Sequence, residues 1–430
     1  MAQSNTRPHS WTARWIIPGD GRVLSGGTIT VVDGRIIACT SRRESSAQDL
    51  GDVVILPGLV NCHAHLEFSE LTQPLSPAVP FTDWLRSLMA WRRGHTADVG
   101  AAVALGLKEL ASHGCTRVGE IATAGWSPRD EYLDAPVIHA FREAIGLRIE
   151  AIEEQNAIVE GHLRECREVT ERSRARTERG NPSRVSDAAI MPAVSPHAPY
   201  SVRPELLERL VDLAVARNLT VAMHLAETRD ELLLLAEGRG PFVDFLAGLG
   251  VWRPDAVPPG RRPLDLLRRL ARSPRALVVH GNYLADDELT FLAANPHLSL
   301  VYCPRTHAFF EHEPHPWKKL VAMGGRVVLG TDGRGSNPDL SLFREACFLA
   351  GRHPDVDPAL LLRMLTHDAA VALSGADADY GRLEPGQRAD LCVIRMPTGR
   401  EPLAELFHPD SVPVGTMVGG RWLVSPPALG

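Results

Sequence analysis

"PGLVNCHAHLEF", residues 57–68, closes an apolar run with a Pro-Gly turn and then sets two histidines one residue apart. Alternate side chains of a strand share a face, so His63 and His65 are expected to point the same way. Two neutral imidazoles converging from one strand end make half of a metal site. Two polar residues on an exposed strand would read the same, so the rest of the chain decides. Strand-like apolar runs recur downstream: "CTRVGEIA" (115–122), "PVIHAF" (136–141), "AAIMPAVS" (188–195), "TVAMHLA" (220–226), "ALVVHGN" (276–282), "LSLVYC" (298–303) and "RVVLGTD" (326–332). Amphipathic helical patterns lie between them, for example over 101–114 and 203–218. With the opening stretch these make eight strand–helix units, which predict an α/β fold, a (β/α)8 TIM barrel.

Both flanks have a different texture. Residues 14–56 and 380–425 are β-branched runs punctuated by Gly-Asp-Gly, Gly-Gly and Asp-Gly turns. The simplest arrangement pairs residues 1–56 with 375–430 in one small β domain and inserts the barrel, residues 57–374, between them. Two segments read as excursions. Residues 164–184 are highly charged and are expected to form a solvated helix and loop. Residues 238–267 carry aromatic and apolar side chains and are expected to be ordered near the barrel mouth.

Composition excludes several classes. A net charge of −6 gives no sign of a nucleic-acid partner. No apolar run reaches the ~18–20 residues that span a bilayer, and the N-terminus has no apolar core of signal-peptide length. The cysteines at 39, 62, 115, 166, 303, 347 and 392 are dispersed without C-x-x-C spacing, as in a reducing compartment. A cytoplasmic protein is expected, and a homodimer is the default oligomer.

Barrel active sites sit at the C-terminal strand ends. Reading the strands there gives His63 and His65, Glu120, Ser195 and His197, His224 and Glu227, His280 and Asp332. The chain has 17 histidines, yet five fall at or just past the ends of four strands, which chance placement explains poorly. Three histidines and a carboxylate with a position left for water match a catalytic divalent-metal site, so His63, His65, His224 and Asp332 are the expected ligands. Glu227, three residues past His224, is the expected proton shuttle, although a carboxylate there also suits the start of a helix. His280 is placed to hydrogen-bond the reacting centre. His197, on the Pro-framed "SPHAPYS" loop, suits substrate contact. Glu67, Glu120, Arg305 and His307 are weaker candidates for substrate contact. The histidines of "HEPHP", His312 and His315, read as loop residues.

These motifs, in this order, resemble the amidohydrolase superfamily, and within it the mononuclear aminohydrolase branch. The resemblance runs through "LPGLVNCHAHLEFS", "SPHAPYSV", "MHLAET", "GPFVDFLAGLGVW", "VVHGN", "YCP", "GTDGRGSNPDLSLFRE" and "YGRLEPGQRADLCVI". It implies a β-sandwich for the terminal domain, zinc or iron on His63, His65, His224 and Asp332, catalytic roles for Glu227 and His280, and substrate contact by His197. Binuclear members of the superfamily are often bridged by a lysine on a middle strand. The three lysines here are Lys108, Lys318 and Lys319, so one metal is expected, zinc ahead of iron. The implied reaction is hydrolytic deamination of an amino-substituted heterocycle, with S-adenosylhomocysteine/methylthioadenosine and aminodeoxyfutalosine deaminases as the nearest resemblances. The latter carry a Ser-Asn pair shortly after "CP", where this chain reads Arg305-Thr306-His307. Displacement of chloride or alkylamine from a triazine-like ring, opening of a cyclic amide, and a non-catalytic binding barrel are the alternatives.

Overall fold

The computed structural model describes residues 8–95, 98–178, 190–397 and 400–427. Among these, eight strands form one parallel sheet in sequential order. They are β1 (Leu59–Ala64), β2 (Cys115–Ala122), β3 (Val137–Ala144), β4 (Ile190–Pro196), β5 (Thr220–Leu225), β6 (Arg275–His280), β7 (Leu298–Tyr302) and β8 (Val327–Leu329). The sheet closes where Thr331 and Asp332 donate their backbone N–H groups to the His63 carbonyl at 3.0 and 3.1 Å. Gly330 makes this closure possible, because a Cβ there would stand 2.9 Å from the His63 Cβ. Asn61 locks the seam: its Nδ2 donates to Thr331 Oγ1 at 2.8 Å while its Oδ1 accepts from the His63 and Thr331 backbones.

The strands are apolar on both faces, as a parallel sheet covered by helices requires. Val60, Cys62, Ile121, Phe141, Leu277 and Val279 fill the barrel interior, together with Ala369, Leu373 and Tyr380. Strand alternation does not run cleanly through the opening motif. The β1–β2 register shifts between Asn61 and Ala64, so one extra residue of β1 is accommodated just where His63 lies. Such a bulge re-aims a side chain. The 203–218 pattern folds as a helix over Pro204–Arg217, with Pro204 in its first turn and Asn218 ending it in the left-handed conformation.

The termini build two further sheets. Strands 9–12, 28–32, 35–40 and 48–49 form one; strands 15–16, 24–25, 54–57, 391–395, 412–418 and 421–424 form the other. The second joins the chain ends, with Val54–Pro57 antiparallel to Leu391–Ile394. Trp11, Ile29, Ile36, Ile55, Leu391 and Met417 pack between the sheets. A buried ion pair couples this layer to the barrel: Asp390 accepts from Nε and Nη2 of Arg117, at the start of β2, at 3.2 and 3.0 Å. Asp390→Ala strands that guanidinium without its partner. A loss of about 3–5 kcal/mol in unfolding free energy is expected, read from urea denaturation.

Of the excursions, residues 238–267 are ordered as expected, with helices at Pro241–Gly248 and, starting within the segment, Pro263–Leu270. The charged segment lies on the helix Ala151–Glu178, and its remainder from residue 179 lies outside the described residues. No helix among the described residues is long and apolar enough to cross a membrane.

Candidate active site

His63, His65, His224, Glu227, His280 and Asp332 converge from β1, β5, β6 and β8 at the C-terminal end of the barrel. The donor atoms of His63, His65 and His224 lie within 4.8 Å of one another, as do those of His63, His280 and Asp332. His65 Nε2 and His224 Nε2 are 3.4 Å apart, and Asp332 Oδ1 is 3.5 Å from Nε2 of both His63 and His65. Four donors bound tetrahedrally at about 2.0–2.1 Å stand about 3.3–3.4 Å apart, which is nearly this spacing. The Nδ1 atoms of His63 and His65 are buried without a hydrogen-bond partner, and His63 Nε2 has only the 3.5 Å approach of Asp332. The donor set therefore fits one divalent cation.

Supporting contacts fix the donors. His224 Nδ1–H donates to the His197 carbonyl at 2.9 Å, which leaves the Nε2 lone pair facing the cluster. Burial drives the pKa of His65 and of His224 well below the ordinary value, so both imidazoles stay neutral. Asp332 receives a 2.6 Å hydrogen bond from Ser336 Oγ on Oδ2, and Ser336 is in turn 3.0 Å from Thr306 Oγ1. Thr306 thus supports the Asp332 carboxylate, through Ser336, from inside the segment that departs from the Ser-Asn pattern.

Glu227 is not a helix-start carboxylate. The next helix, Arg229–Glu237, is capped by Thr228, whose Oγ1 accepts from the Glu231 N–H. Buried Glu231 accepts from the backbone N–H groups of Ala226 and Glu227 at 2.8 and 3.0 Å, holding Ala226 at φ +54. Asn282 Nδ2 grips the Glu227 carbonyl at 2.9 Å. These bonds direct the Glu227 side chain into the cavity, 3.4 Å from His280 Nε2. Burial, with Asp332 and Glu231 nearby, raises the Glu227 carboxyl well above the ordinary carboxylate range.

His280 and Asp332 themselves have positive φ, +69 and +56, so both are presented by strained backbone. His315, read from the sequence as a loop residue, holds one of these strained sites. Its Nδ1 accepts from the Trp317 N–H at 3.0 Å, and its Nε2–H donates to the His280 carbonyl at 2.8 Å. His315→Phe keeps the stack on Tyr302, whose ring lies 3.9 Å away, but loses that bond. A fall in kcat of about tenfold is expected, with partial recovery in His315→Gln, which restores a donor.

The cluster lies in a cavity of about 320 Å³. Its walls include Phe81, Trp84, Leu88 and Met89 from the helix Phe81–Gly94, and Phe245 and Leu246 from the 238–267 excursion. His197 lines it as expected, oriented by Ser201 Oγ at 2.6 Å from its Nδ1. Glu143, at the end of β3, also lines it and was not singled out from the sequence. Its signal was legible, since it is two residues past Phe141 on the inward face of a barrel strand.

The weaker candidates lie elsewhere. β1 ends at Ala64, and Leu66–Phe68 turns as a 3-10 helix, so Glu67 is not on the strand face of the histidines. It pairs with Arg92, a residue of the cavity wall, and itself faces an adjoining pocket that shares Arg92, Glu143 and Ile145 with the cavity. Glu120 is fully buried beneath the site, where its Oε2 accepts from the Leu66 N–H at 3.0 Å and holds the turn after His65. The Arg305 guanidinium is taken up by Asp339 and Glu345, and His307 Nε2 donates to the Glu313 carbonyl at 2.9 Å. Neither lines the cavity.

A family model, Amidohydrolase family, matches residues 54–423. A 5-methylthioadenosine/S-adenosylhomocysteine deaminase of Nitratidesulfovibrio vulgaris is 29% identical over 427 residues, covering 93% of this chain and 88% of the relative. Among solved structures, an adenosine deaminase from Xanthomonas campestris with bound zinc matches with TM-score 0.73 and 23% identity over 96% of this chain and 92% of that one. The aminofutalosine deaminase of Helicobacter pylori in complex with methylthio-coformycin gives TM-score 0.79 and 19% identity, covering 97% of this chain and all of the other. At that level of identity the structural likeness speaks to fold.

Proposed function

Because the chain belongs to the amidohydrolase family, we propose that it is a metal-dependent hydrolytic deaminase that releases ammonia from an adenine-type nucleoside. The observation that carries this reading is the pairing, in one cavity, of two donor groups that share His63, His63–His65–His224 and His63–His280–Asp332, with a buried Glu227 carboxyl. The relatives named as deaminases of such nucleosides support the substrate class.

The proposed ion is a single zinc, held by His63, His65, His224 and Asp332; when bound, it acidifies water at its open position. The remaining chemistry belongs to the side chains. The ionised Asp332 accepts the proton of the attacking water, with its second oxygen fixed by Ser336. The water oxygen bonds to the amine-bearing ring carbon. Glu227, whose burial favours the protonated acid, delivers its proton to the adjacent ring nitrogen. His280 hydrogen-bonds the oxygen of the tetrahedral centre, a contribution of about 3 kcal/mol in comparable sites. Asp332 then passes its proton to the amine, which leaves as ammonia, while the hydroxyl proton of the tetrahedral centre goes to Glu227, and the ring keeps the oxygen as a carbonyl. Burial lowers the His280 pKa to about 3, so it acts as a neutral hydrogen-bonding group.

Ammonia release by zinc-reconstituted protein tests this, measured with methylthioadenosine, S-adenosylhomocysteine, adenosine, guanine and cytosine. Release from an adenine nucleoside is expected. Release of chloride or alkylamine from a triazine, with no ammonia from the nucleosides, would replace the reading with its hydrolytic alternative.

A further inference from the structure

We propose that the substrate carries an uncharged, apolar substituent on its nucleoside or ring, and that the cavity rejects a carboxylate there. The inference rests on the deamination reading and narrows it.

The wall opposite the donor set is aromatic and aliphatic: Phe81, Trp84, Leu88, Met89, Phe245 and Leu246. At the mouth, Ile145, Leu249 and Val251 stay exposed, so the apolar surface continues to the rim. Burying such side chains against a thioalkyl or alkyl group removes apolar surface of both from water, which favours binding of that group.

The charges point the same way. Arg92 is the one guanidinium or ammonium among the residues lining the cavity. One edge of its fork is already occupied, because Nε and Nη2 both donate to the carboxylate of buried Glu67, the former at 3.1 Å, and the group lies 5.1 Å over the Phe68 ring. The other charged side chains facing the space are the carboxyls of Glu143, Glu227 and Asp332. Glu143 is buried and stands 3.9 Å from His197 Nε2. It can accept a hydrogen bond from an uncharged hydroxyl or N–H of the substrate, or meet an ammonium. Away from the donor set, a ligand carboxylate meets among the described lining residues only the Glu67-paired Arg92 as a cation and the Glu143 carboxyl as its acidic neighbour, and burying it without a free partner is costly. An amino-acid tail therefore has one end that the cavity can meet and one that it cannot.

The test compares two probes on the zinc-loaded protein: 5′-methylthioadenosine, whose tail is uncharged, and S-adenosylhomocysteine, whose tail carries an ammonium and a carboxylate. A kcat/KM for methylthioadenosine at least 100-fold higher is expected, and equal values or the reverse order overturn the proposal. Glu67→Gln, which releases the Arg92 fork, is expected to narrow the ratio at least tenfold by improving the charged substrate. A purely structural Arg92–Glu67 pair would lower both substrates alike and leave the ratio unchanged, which counts against the proposal. Ammonia from neither probe would sink the deamination reading instead, and selectivity would then be read by equilibrium dialysis. Binding of methylthioadenosine at least tenfold tighter supports it. Equal binding, tighter S-adenosylhomocysteine, or binding of neither overturns it.

Discussion

Glu227→Gln is expected to lower kcat by about 10²–10⁴-fold while the protein folds and keeps its metal. The amide has the shape of the carboxylic acid but has no carboxyl proton to deliver to a ring nitrogen. The groups that position residue 227, Glu231 and Asn282, hold its backbone N–H and carbonyl, so the substitution leaves them in place. The metal should stay because Glu227 lies outside the donor groups and contacts His280 instead, at 3.4 Å. Steady-state kinetics, metal analysis and far-UV circular dichroism on the same preparation read the three effects separately. Full activity with metal retained would remove Glu227 from the mechanism.

His224→Ala has the second large expected effect: loss of the metal on dialysis, with turnover falling at least ~10³-fold because the Lewis acid goes with it. The imidazole is set before any ion arrives, with Nδ1–H bound to the His197 carbonyl and Nε2 facing His65 Nε2 at 3.4 Å. Removing it takes one corner from the proposed four-donor set and leaves the remaining residues too few donors to hold an ion tightly. Global stability of the metal-free form should change little in comparison, since the lost group makes one neutral hydrogen bond to the backbone. Metal content after exhaustive dialysis, paired with thermal unfolding of the metal-free variant, checks this. Retention of one tightly bound ion per chain would exclude His224 from the donor set.

The barrel and its chemistry were legible because both depend on local pattern. Each strand is a short apolar run, and each polar group that faces the cavity sits at the end of one, so His63, His65, His224, His280 and Asp332 could be placed from order alone. The weaker candidates were misplaced by the physics of turns and pairing. Glu67 follows the histidines by a strand's period, but the chain leaves the strand at Ala64 and turns. Arg305 lies beside the right loop, but Asp339 and Glu345 from elsewhere in the chain claim its guanidinium. Supporting residues depend on contacts between distant segments. Ser336 on Asp332, Glu231 on the Glu227 backbone and His315 on the His280 carbonyl have no spacing that announces them. Glu143 is the exception, since alternation from Phe141 was enough to find it.

The measurement that bears most directly on the account is a zinc titration of metal-free protein, following ammonia release from methylthioadenosine and bound metal together. The metal-free protein is expected to be inactive, with activity rising in proportion to zinc and reaching a plateau at one equivalent per chain. Full activity without metal, or a plateau only at two equivalents, would contradict it.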